Sequence, residues 1–248
     1  MSAMIDVSSQ DGVCRILLQR AQKMNALSAE LVEALIDAVD QAHAQRCDVI
    51  VFQGAGKNFS AGFDFSGFAD QSDGDLLLRF VRLEQLLQKV ANSPALTVAL
   101  AHGKNFGAGV DLFGACRLRV ATPDASFRMP GLKFGLVLGT RRFAAVVGTQ
   151  TAHDILNHTR TFSAESALQM GFATRLAEAA EWDAVCVQAL GSARELSADT
   201  RLQLHAALNA DADNADLAAL VRSAAAPGLK HRIQAYLTPP TANAGAKS

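Results

Sequence analysis

The amino-acid sequence predicts an α/β fold built on a buried parallel sheet, and three observations support this. Short runs rich in valine, isoleucine and leucine alternate with segments of helical periodicity between residues 13 and 121. These runs are apolar throughout, which is typical of parallel strands covered by helices on both faces. The composition then becomes helical after Phe134. Half of the 248 residues are hydrophobic, which suffices for a sizeable core without metal or disulfide staples.

The first half of the chain contains three predicted strands and two predicted helices. A strand over 13–18 precedes a helix that begins at the N-cap Ser28 and runs to about residue 45. Apolar residues recur on one face of this helix, at Leu31, Leu35, Val39 and Ala42. A strand over 48–52, a polar and mobile surface segment over 67–74, a helix over 76–91 and a strand over 96–101 follow.

The second half is predicted to be mainly helical. A helix opens at Gly109, and a short strand over 117–121 follows it. Further helices are predicted over 141–147, 151–157, 164–170, 182–195, 199–208, 215–224 and 229–237. From Pro239 onward bulky apolar residues are scarce, so this tail is predicted to be disordered.

Charge and cysteine content argue against several functional classes. The formal net charge of −1 argues against broad attraction to nucleic acid or to an anionic membrane. The four cysteines are far apart and have no histidine neighbour at ligand spacing, so we expect buried thiols rather than a zinc site or a disulfide framework. No apolar run approaches membrane-spanning length, and the N-terminus has no leader pattern. We therefore expect a soluble cytoplasmic protein.

Two glycine turns follow predicted strands and could act together. One contains Ala61-Gly62, and the other contains Ala108-Gly109 at the start of a helix. Two backbone N–H groups that converge from such turns form an oxyanion hole, which stabilises a thioester enolate or a tetrahedral intermediate. Asp111 lies in the first helical turn and is a candidate acid/base. The simpler interpretation is a tight strand-to-helix connection in which Asp111 only favours the helix N-terminus.

Other catalytic motifs do not fit. Gly56-Lys57 lacks the serine or threonine and the glycine spacing of a phosphate-binding loop. G-x-S-x-G and a G-x-G-x-x-G after the first strand are also missing. His102, at the end of a strand, is interpreted as a structural histidine.

Taken together, the two turns and their surroundings resemble the enoyl-CoA hydratase/isomerase (crotonase) family over nearly the whole chain. The residues that carry the resemblance lie in 20–27, 49–64 and 102–112, with weaker support from 127–135, 163–171 and 229–237. The resemblance implies a crotonase-like β-β-α spiral core over 1–190, a helical trimerisation region over 191–238 and a tail over 239–248. It also implies a homotrimer or a dimer of trimers.

The resemblance implies an acyl-CoA thioester substrate, with coenzyme A as part of the substrate and no separate cofactor or metal. By position in the motifs, the backbone N–H groups of Ala61 and Ala108 hold the acyl carbonyl. Lys23 and Ala26 lie where the family binds the nucleotide end of coenzyme A. A solvated surface lysine is the alternative interpretation of Lys23.

Three departures from the family pattern limit the predicted activity. Family hydratases use two glutamates; here the first position is Asp111 and the second is Gly131, which has no side chain. The glycine-rich segment that shapes the acyl pocket is shortened to 138–142. Arg128, Arg141 and Arg142 could reach into that space, although surface positions are the expectation for each.

Because hydration needs both water activation and proton transfer, one carboxylate favours isomerase-like proton transfer over hydration. Asp111 is then the sole acid/base at a family position. The alternatives are a thioester hydrolase or decarboxylase, or a family member that binds acyl-CoA without turnover.

Overall fold

The computed structural model describes residues 4–208 and 212–238, so the tail predicted from Pro239 onward lies outside the described residues. The strands are β1 (Ile5–Gln10), β2 (Val13–Leu18), β3 (Val49–Gly54), β4 (Leu96–Ala101), β5 (Lys104–Phe106), β6 (Leu118–Ala121), β7 (Ser126–Arg128), β8 (Phe162–Ser163) and β9 (Arg175–Leu176). The helices are α1 (Ala29–Ala44), α2 (Asp73–Ala91), α3 (Ala108–Ala115), α4 (Thr140–Val147), α5 (Thr149–His158), α6 (Ala164–Gln169), α7 (Trp182–Ala193), α8 (Ala198–Leu208), α9 (Ala212–Ala224) and α10 (Leu229–Leu237).

The main sheet has the strand order β1-β2-β3-β4-β6-β9. β1 and β2 are antiparallel, and each further neighbouring pair is parallel. Ile50 and Phe52 of β3 pack in the same cluster as the apolar faces of α1 and α2. Val49 and Val51 point the other way and pack in the cluster of Trp182 on α7. The predicted parallel pairing, with burial on both faces, is confirmed.

Three parts of the β structure were not predicted: β1, the second sheet and the two-residue strand β9 at the far edge of the main sheet. β1 is an edge strand whose residues after Ile5 are all exposed, so it has neither the apolar run nor the alternation that signals a strand. The second sheet, β5-β7-β8, is made of strands of two or three residues, which are too short for a periodic pattern. This small sheet is important because it supports the second glycine turn.

The helices agree closely with the predicted positions. Ser28 caps α1 as predicted, since its hydroxyl accepts the N–H of Leu31 at 3.3 Å. α2 begins earlier than predicted, at Asp73, because Ser72 and Asp75 form a capping box. The segment 67–74, predicted to be a mobile surface stretch, therefore contains a 3-10 turn and the first residues of α2. α3 begins one residue early, at Ala108.

The C-terminal third is helical, as predicted, and its helix α9 packs against α2 of the core. All four cysteines are buried free thiols, as expected. Of the helices within 4–208 and 212–238, none is long and apolar enough to cross a membrane.

Candidate active site

The two glycine turns identified in the sequence meet in the folded chain. Gly62 has a left-handed backbone (φ 79°), and a Cβ built on it would lie 2.3 Å from the carbonyl oxygen of Phe106 and 2.9 Å from the nitrogen of Ala108. A Cβ on Gly109 would lie 2.6 Å from the carbonyl oxygen of Ser60. Only glycine permits such close backbone contact. Glycine is therefore required at both positions because the backbones of the two turns are in direct contact.

The two predicted oxyanion donors are in different states. Ala108 is the first residue of α3, so its N–H has no acceptor inside the helix. No other backbone or side-chain acceptor within the described residues bonds to it. The N–H of Ala61 instead donates to the carbonyl oxygen of Met24 at 2.8 Å. In this conformation one donor is free and the other is engaged.

The turn that holds Met24 is fixed from several sides. Met24 and Asn25 both have left-handed backbones, with φ of 49° and 53°. The side-chain amide of Asn25 donates to two carbonyl oxygens of the loop between β3 and the Ala61-Gly62 turn, those of Ala55 and Asn58, each at 2.9 Å. Ser60 Oγ donates to the Asn25 carbonyl at 2.8 Å. The turn therefore holds its unusual backbone through side-chain contacts.

Lys23 and Ala26, the residues predicted to contact coenzyme A, flank Met24. Lys23 is exposed, whereas Ala26 is buried and its carbonyl accepts a hydrogen bond from Arg20. Neither residue lines the cavity described below, although Met24 does. Their role in binding the nucleotide end stays a prediction.

A cavity of about 310 Å³ opens beside the two turns. Ala61, Ala108 and Asp111 all line it, so the structure brings the three predicted site residues together. Most of the remaining wall is apolar, and its aromatic side chains are Phe63, Phe65, Phe80, Phe106, Phe134 and Tyr236. A largely apolar cavity with a few polar groups is typical of a small-molecule site.

Asp111 is buried in this wall at 7% exposure, and its Oδ1 has no hydrogen-bond partner among the described residues. Burial raises the pKa of its carboxyl well above the usual range, because the charged form loses its hydration. The positive charge of Arg142 opposes this shift, and the negative charge of Glu84 adds to it. The carboxyl also packs against Gly139, where an added Cβ would lie 2.0 Å from Oδ1.

A family model described as enoyl-CoA hydratase/isomerase matches residues 8–227. The chain belongs to this family. A Mycobacterium leprae protein named as an enoyl-CoA hydratase is 37% identical over 191 residues, which are 73% of this chain and 75% of that protein. A mitochondrial Delta(3,5)-Delta(2,4)-dienoyl-CoA isomerase of Mus musculus is 30% identical over 206 residues, which are 77% of this chain and 62% of that protein.

The fold also matches solved structures. A Bordetella parapertussis protein described as an enoyl-CoA hydratase/isomerase has a TM-score of 0.94 at 56% identity, covering 96% of this chain and 100% of that one. The predicted crotonase-like fold is confirmed. Its helical C-terminal region is present, while trimer formation stays a prediction.

The second carboxylate of the hydratases in this family has no substitute in the cavity wall. Gly131 lines the cavity at that position, and of the described lining residues Asp111 alone carries a carboxyl group. Gly131 does not have a left-handed backbone, but an added Cβ would lie 3.2 Å from the carbonyl oxygen of Leu136. The position could carry a side chain only if this carbonyl shifted by a few tenths of an ångström.

The expectation that Arg142 lies at the surface is wrong. Its side chain is only 12% exposed and forms ion pairs with Glu84 of α2, at 2.5 Å, and Asp216 of α9, at 2.9 Å. Arg141, which is 43% exposed, also pairs with Asp216. Carboxylates on α2 and α9 hold these two arginines of α4. Neither arginine is among the cavity-lining residues, whereas Arg128 is. Sequence reasoning missed Glu84 and Asp216 because nothing in a helical pattern marks a buried carboxylate.

His102 has the structural role predicted for it. Its Nε2 is 2.9 Å from the carbonyl oxygen of Gly56, and its ring packs beside Trp182. It does not line the cavity.

Proposed function

We propose that the protein stabilises the enolate of an acyl-CoA thioester and that Asp111 carries the proton. One observation carries the proposal: a buried carboxyl without a hydrogen-bond partner shares a cavity wall with the free N–H of Ala108. An acid/base group next to an oxyanion donor is the arrangement that enolate chemistry requires.

In the proposed reaction, the thioester carbonyl accepts the N–H of Ala108. It also accepts the N–H of Ala61 once the Met24 carbonyl has been displaced. Negative charge that develops on this oxygen is stabilised by the two donors and by the N-terminus of α3. Movement of the Met24 turn is therefore part of substrate binding in this proposal.

Proton transfer by Asp111 then moves a double bond. The ionised carboxyl removes a proton from C2 of a 3-enoyl thioester, and the electron pair enters the enolate. The same carboxyl returns the proton to C4, so that the double bond lies between C2 and C3. The raised pKa supports this role, because a carboxylate with a higher pKa is a stronger base and titrates nearer to neutral pH.

Isomerisation is favoured over hydration because Gly131 supplies no second carboxylate to activate water. The test compares two reactions at one chain length: conversion of trans-3-hexenoyl-CoA to the 2-enoyl thioester, and hydration of trans-2-hexenoyl-CoA. We expect isomerisation to be the faster, and Asp111→Asn to reduce it by roughly 100-fold or more. The exposed Asp37 of α1 provides the control Asp37→Asn, which should isomerise the substrate at the wild-type rate. Faster hydration, or an active Asp111→Asn variant, would overturn the proposal.

The raised pKa of Asp111 also favours decarboxylation as a second candidate. Loss of CO2 from a 2-carboxyacyl thioester leaves its electron pair on C2 as the enolate, which needs only an acid. The protonated Asp111 supplies that proton, giving CO2 and the shortened acyl thioester. Incubation with malonyl-CoA should yield acetyl-CoA, and no acetyl-CoA would remove this candidate.

The nucleotide end of coenzyme A is proposed to lie along residues 23–26, next to Met24 of the cavity wall. The exposed Lys23 would then pair with a phosphate. Lys23→Gln should weaken coenzyme A binding more at low salt than at high salt.

A further inference from the structure

Besides Asp111, the cavity wall contains an arginine, Arg128. Arg128 is the last residue of β7, in register with Phe106 of β5. Its carbonyl oxygen accepts the N–H of Gly107 at 2.8 Å, one residue before Ala108. Arg128 is half-buried and lines the same cavity as Asp111. The small second sheet thus places Arg128 in the wall of the cavity that Asp111 and Ala108 also line.

One edge of this guanidinium is held by the protein, and the other is available. Nε donates to the carbonyl oxygen of Thr159 at 3.0 Å, which orients the group. In residues 4–208 and 212–238, neither terminal nitrogen has an acceptor, and no carboxylate forms an ion pair with it. By contrast, Arg20, Arg141 and Arg142 all pair with carboxylates.

The surroundings of Arg128 favour an anionic ligand. The cavity wall is mainly apolar, and its one carboxyl among the described residues, Asp111, has a pKa raised by burial. The terminal nitrogens of Arg128 have no carboxylate partner in the described residues, so the guanidinium can pair with an anionic ligand. Two terminal nitrogens on a planar group match the two oxygens of a carboxylate, which a guanidinium binds through paired hydrogen bonds.

We propose that Arg128 binds a carboxylate on the acyl group, so that the substrate class is the coenzyme A thioester of a dicarboxylic acid. This proposal specifies the substrate of the proposed function. It depends on that function only in assuming that the ligand is an acyl-CoA thioester. The phosphates of coenzyme A are the other anionic groups on such a ligand. The cavity places Arg128 with Asp111, whereas Lys23 at the proposed nucleotide end is outside it.

The test measures binding by calorimetry, which needs no turnover. Succinyl-CoA and glutaryl-CoA are compared with butyryl-CoA and valeryl-CoA, which carry the same coenzyme A but no second carboxylate. We expect the wild-type protein to bind the dicarboxylic thioesters at least 10-fold more tightly. Arg128→Gln should weaken their binding roughly 10- to 100-fold and leave the neutral thioesters within about twofold. Arg128→Lys, which keeps the charge without the paired geometry, should fall between.

Lys133 provides a matched control, since it is an exposed cation in the neighbouring 3-10 helix and does not line the cavity. Lys133→Gln should keep the wild-type preference for dicarboxylic over neutral thioesters. A wild-type protein with no preference for dicarboxylic thioesters would overturn the proposal without any variant. Equal weakening of both ligand classes by Arg128→Gln would also overturn it, because Arg128 would then serve the fold or coenzyme A. These outcomes do not depend on whether the protein forms an enolate, so failure of the proposed function is seen separately in the proton-transfer assays.

Discussion

Asp111 shows a conflict between stability and chemistry at a single residue. Its carboxyl is buried, and its Oδ1 has no hydrogen-bond partner in the described chain. A group of this kind is easily desolvated and protonated, which suits proton transfer but makes its ionised form destabilising. Gly139 accommodates the carboxyl because it has no side chain.

We expect the stability of Asp111→Asn relative to wild type to depend on pH. The pKa of Asp111 is raised on folding, so its stabilising protonation is complete below the unfolded pKa, about 3.9, and is lost as pH rises toward the folded value. The free energy of unfolding of wild type should therefore fall relative to the variant by about 1.4 kcal/mol per pH unit in that window. Denaturant unfolding from pH 4 to pH 8 measures the difference. A difference that does not change with pH would contradict the raised pKa.

The role of a second carboxylate in hydration can be tested by adding one at Gly131. Gly131→Glu places a carboxyl at the second family position, provided that the Leu136 carbonyl shifts slightly. We expect hydration of trans-2-hexenoyl-CoA to rise by roughly 10-fold or more, since acid–base groups contribute on that scale. Gly131→Gln is the control of similar size, and equal gains in both variants would argue against a role for the carboxylate.

Residues in glycine motifs were predictable, whereas residues fixed by distant partners were not. The close contact between Gly62 and Ala108 requires glycine at position 62, so the turn can be recognised in the sequence. Glu84 and Arg142 are 58 residues apart, and neither has a local feature that predicts the other. The engagement of the Ala61 N–H by Met24 was also unpredictable, because it depends on the backbone angles of a turn.

Helices α2, α4 and α9 are joined by the cluster of Glu84, Arg142 and Asp216 close to the site. Glu84 accepts both terminal nitrogens of Arg142, and Gln88 donates to it at 2.9 Å. Burial raises the pKa of Glu84, and Arg142 counteracts that shift. Arg142 and Glu84 of this cluster shift the pKa of Asp111 in opposite directions, and the cluster connects α9 to the core.

Glu84→Gln should shift the pH dependence of proton transfer. It removes a negative charge that raises the pKa of Asp111 and leaves Arg142, whose positive charge lowers that pKa, paired with Asp216 alone. The limb of the rate profile that reports Asp111 should move to lower pH. Stability should fall by roughly 2–4 kcal/mol, because a buried ion pair loses one partner while Asp216 keeps its bond. The control Arg141→Gln, which removes only a partly exposed ion pair, should leave the pH–rate profile unchanged. An unchanged pH–rate profile in Glu84→Gln would mean that the cluster contributes to folding alone.

At the scale of the whole molecule, the order of elements could largely be predicted because the main-sheet strands β2, β3, β4 and β6 and most of the helices carry apolar patterns. The edge strand β1 and the short strands β5, β7, β8 and β9 could not, since their residues are exposed or too few. The small sheet determines where Arg128 lies, so the sequence, which favoured a surface position, could not place this residue in the cavity wall.

We propose that the chain forms a homotrimer or a dimer of trimers through its C-terminal region. Leucines are exposed in and just before α8, at Leu196, Leu202, Leu204 and Leu208. Sedimentation equilibrium should give a multiple of three of the 26.2-kDa chain. Leu202→Glu with Leu204→Glu should shift it toward monomer. A monomeric wild-type protein would contradict this assembly.

Exchange of the α-hydrogens of butyryl-CoA in heavy water, followed by NMR, tests enolate formation most directly because it requires no knowledge of the natural acyl group. We predict exchange with the wild-type protein and with Asp37→Asn, and its loss in Asp111→Asn. Exchange that survives in Asp111→Asn would assign the proton to another group. No exchange by a wild-type protein that binds butyryl-CoA would contradict the enolate itself.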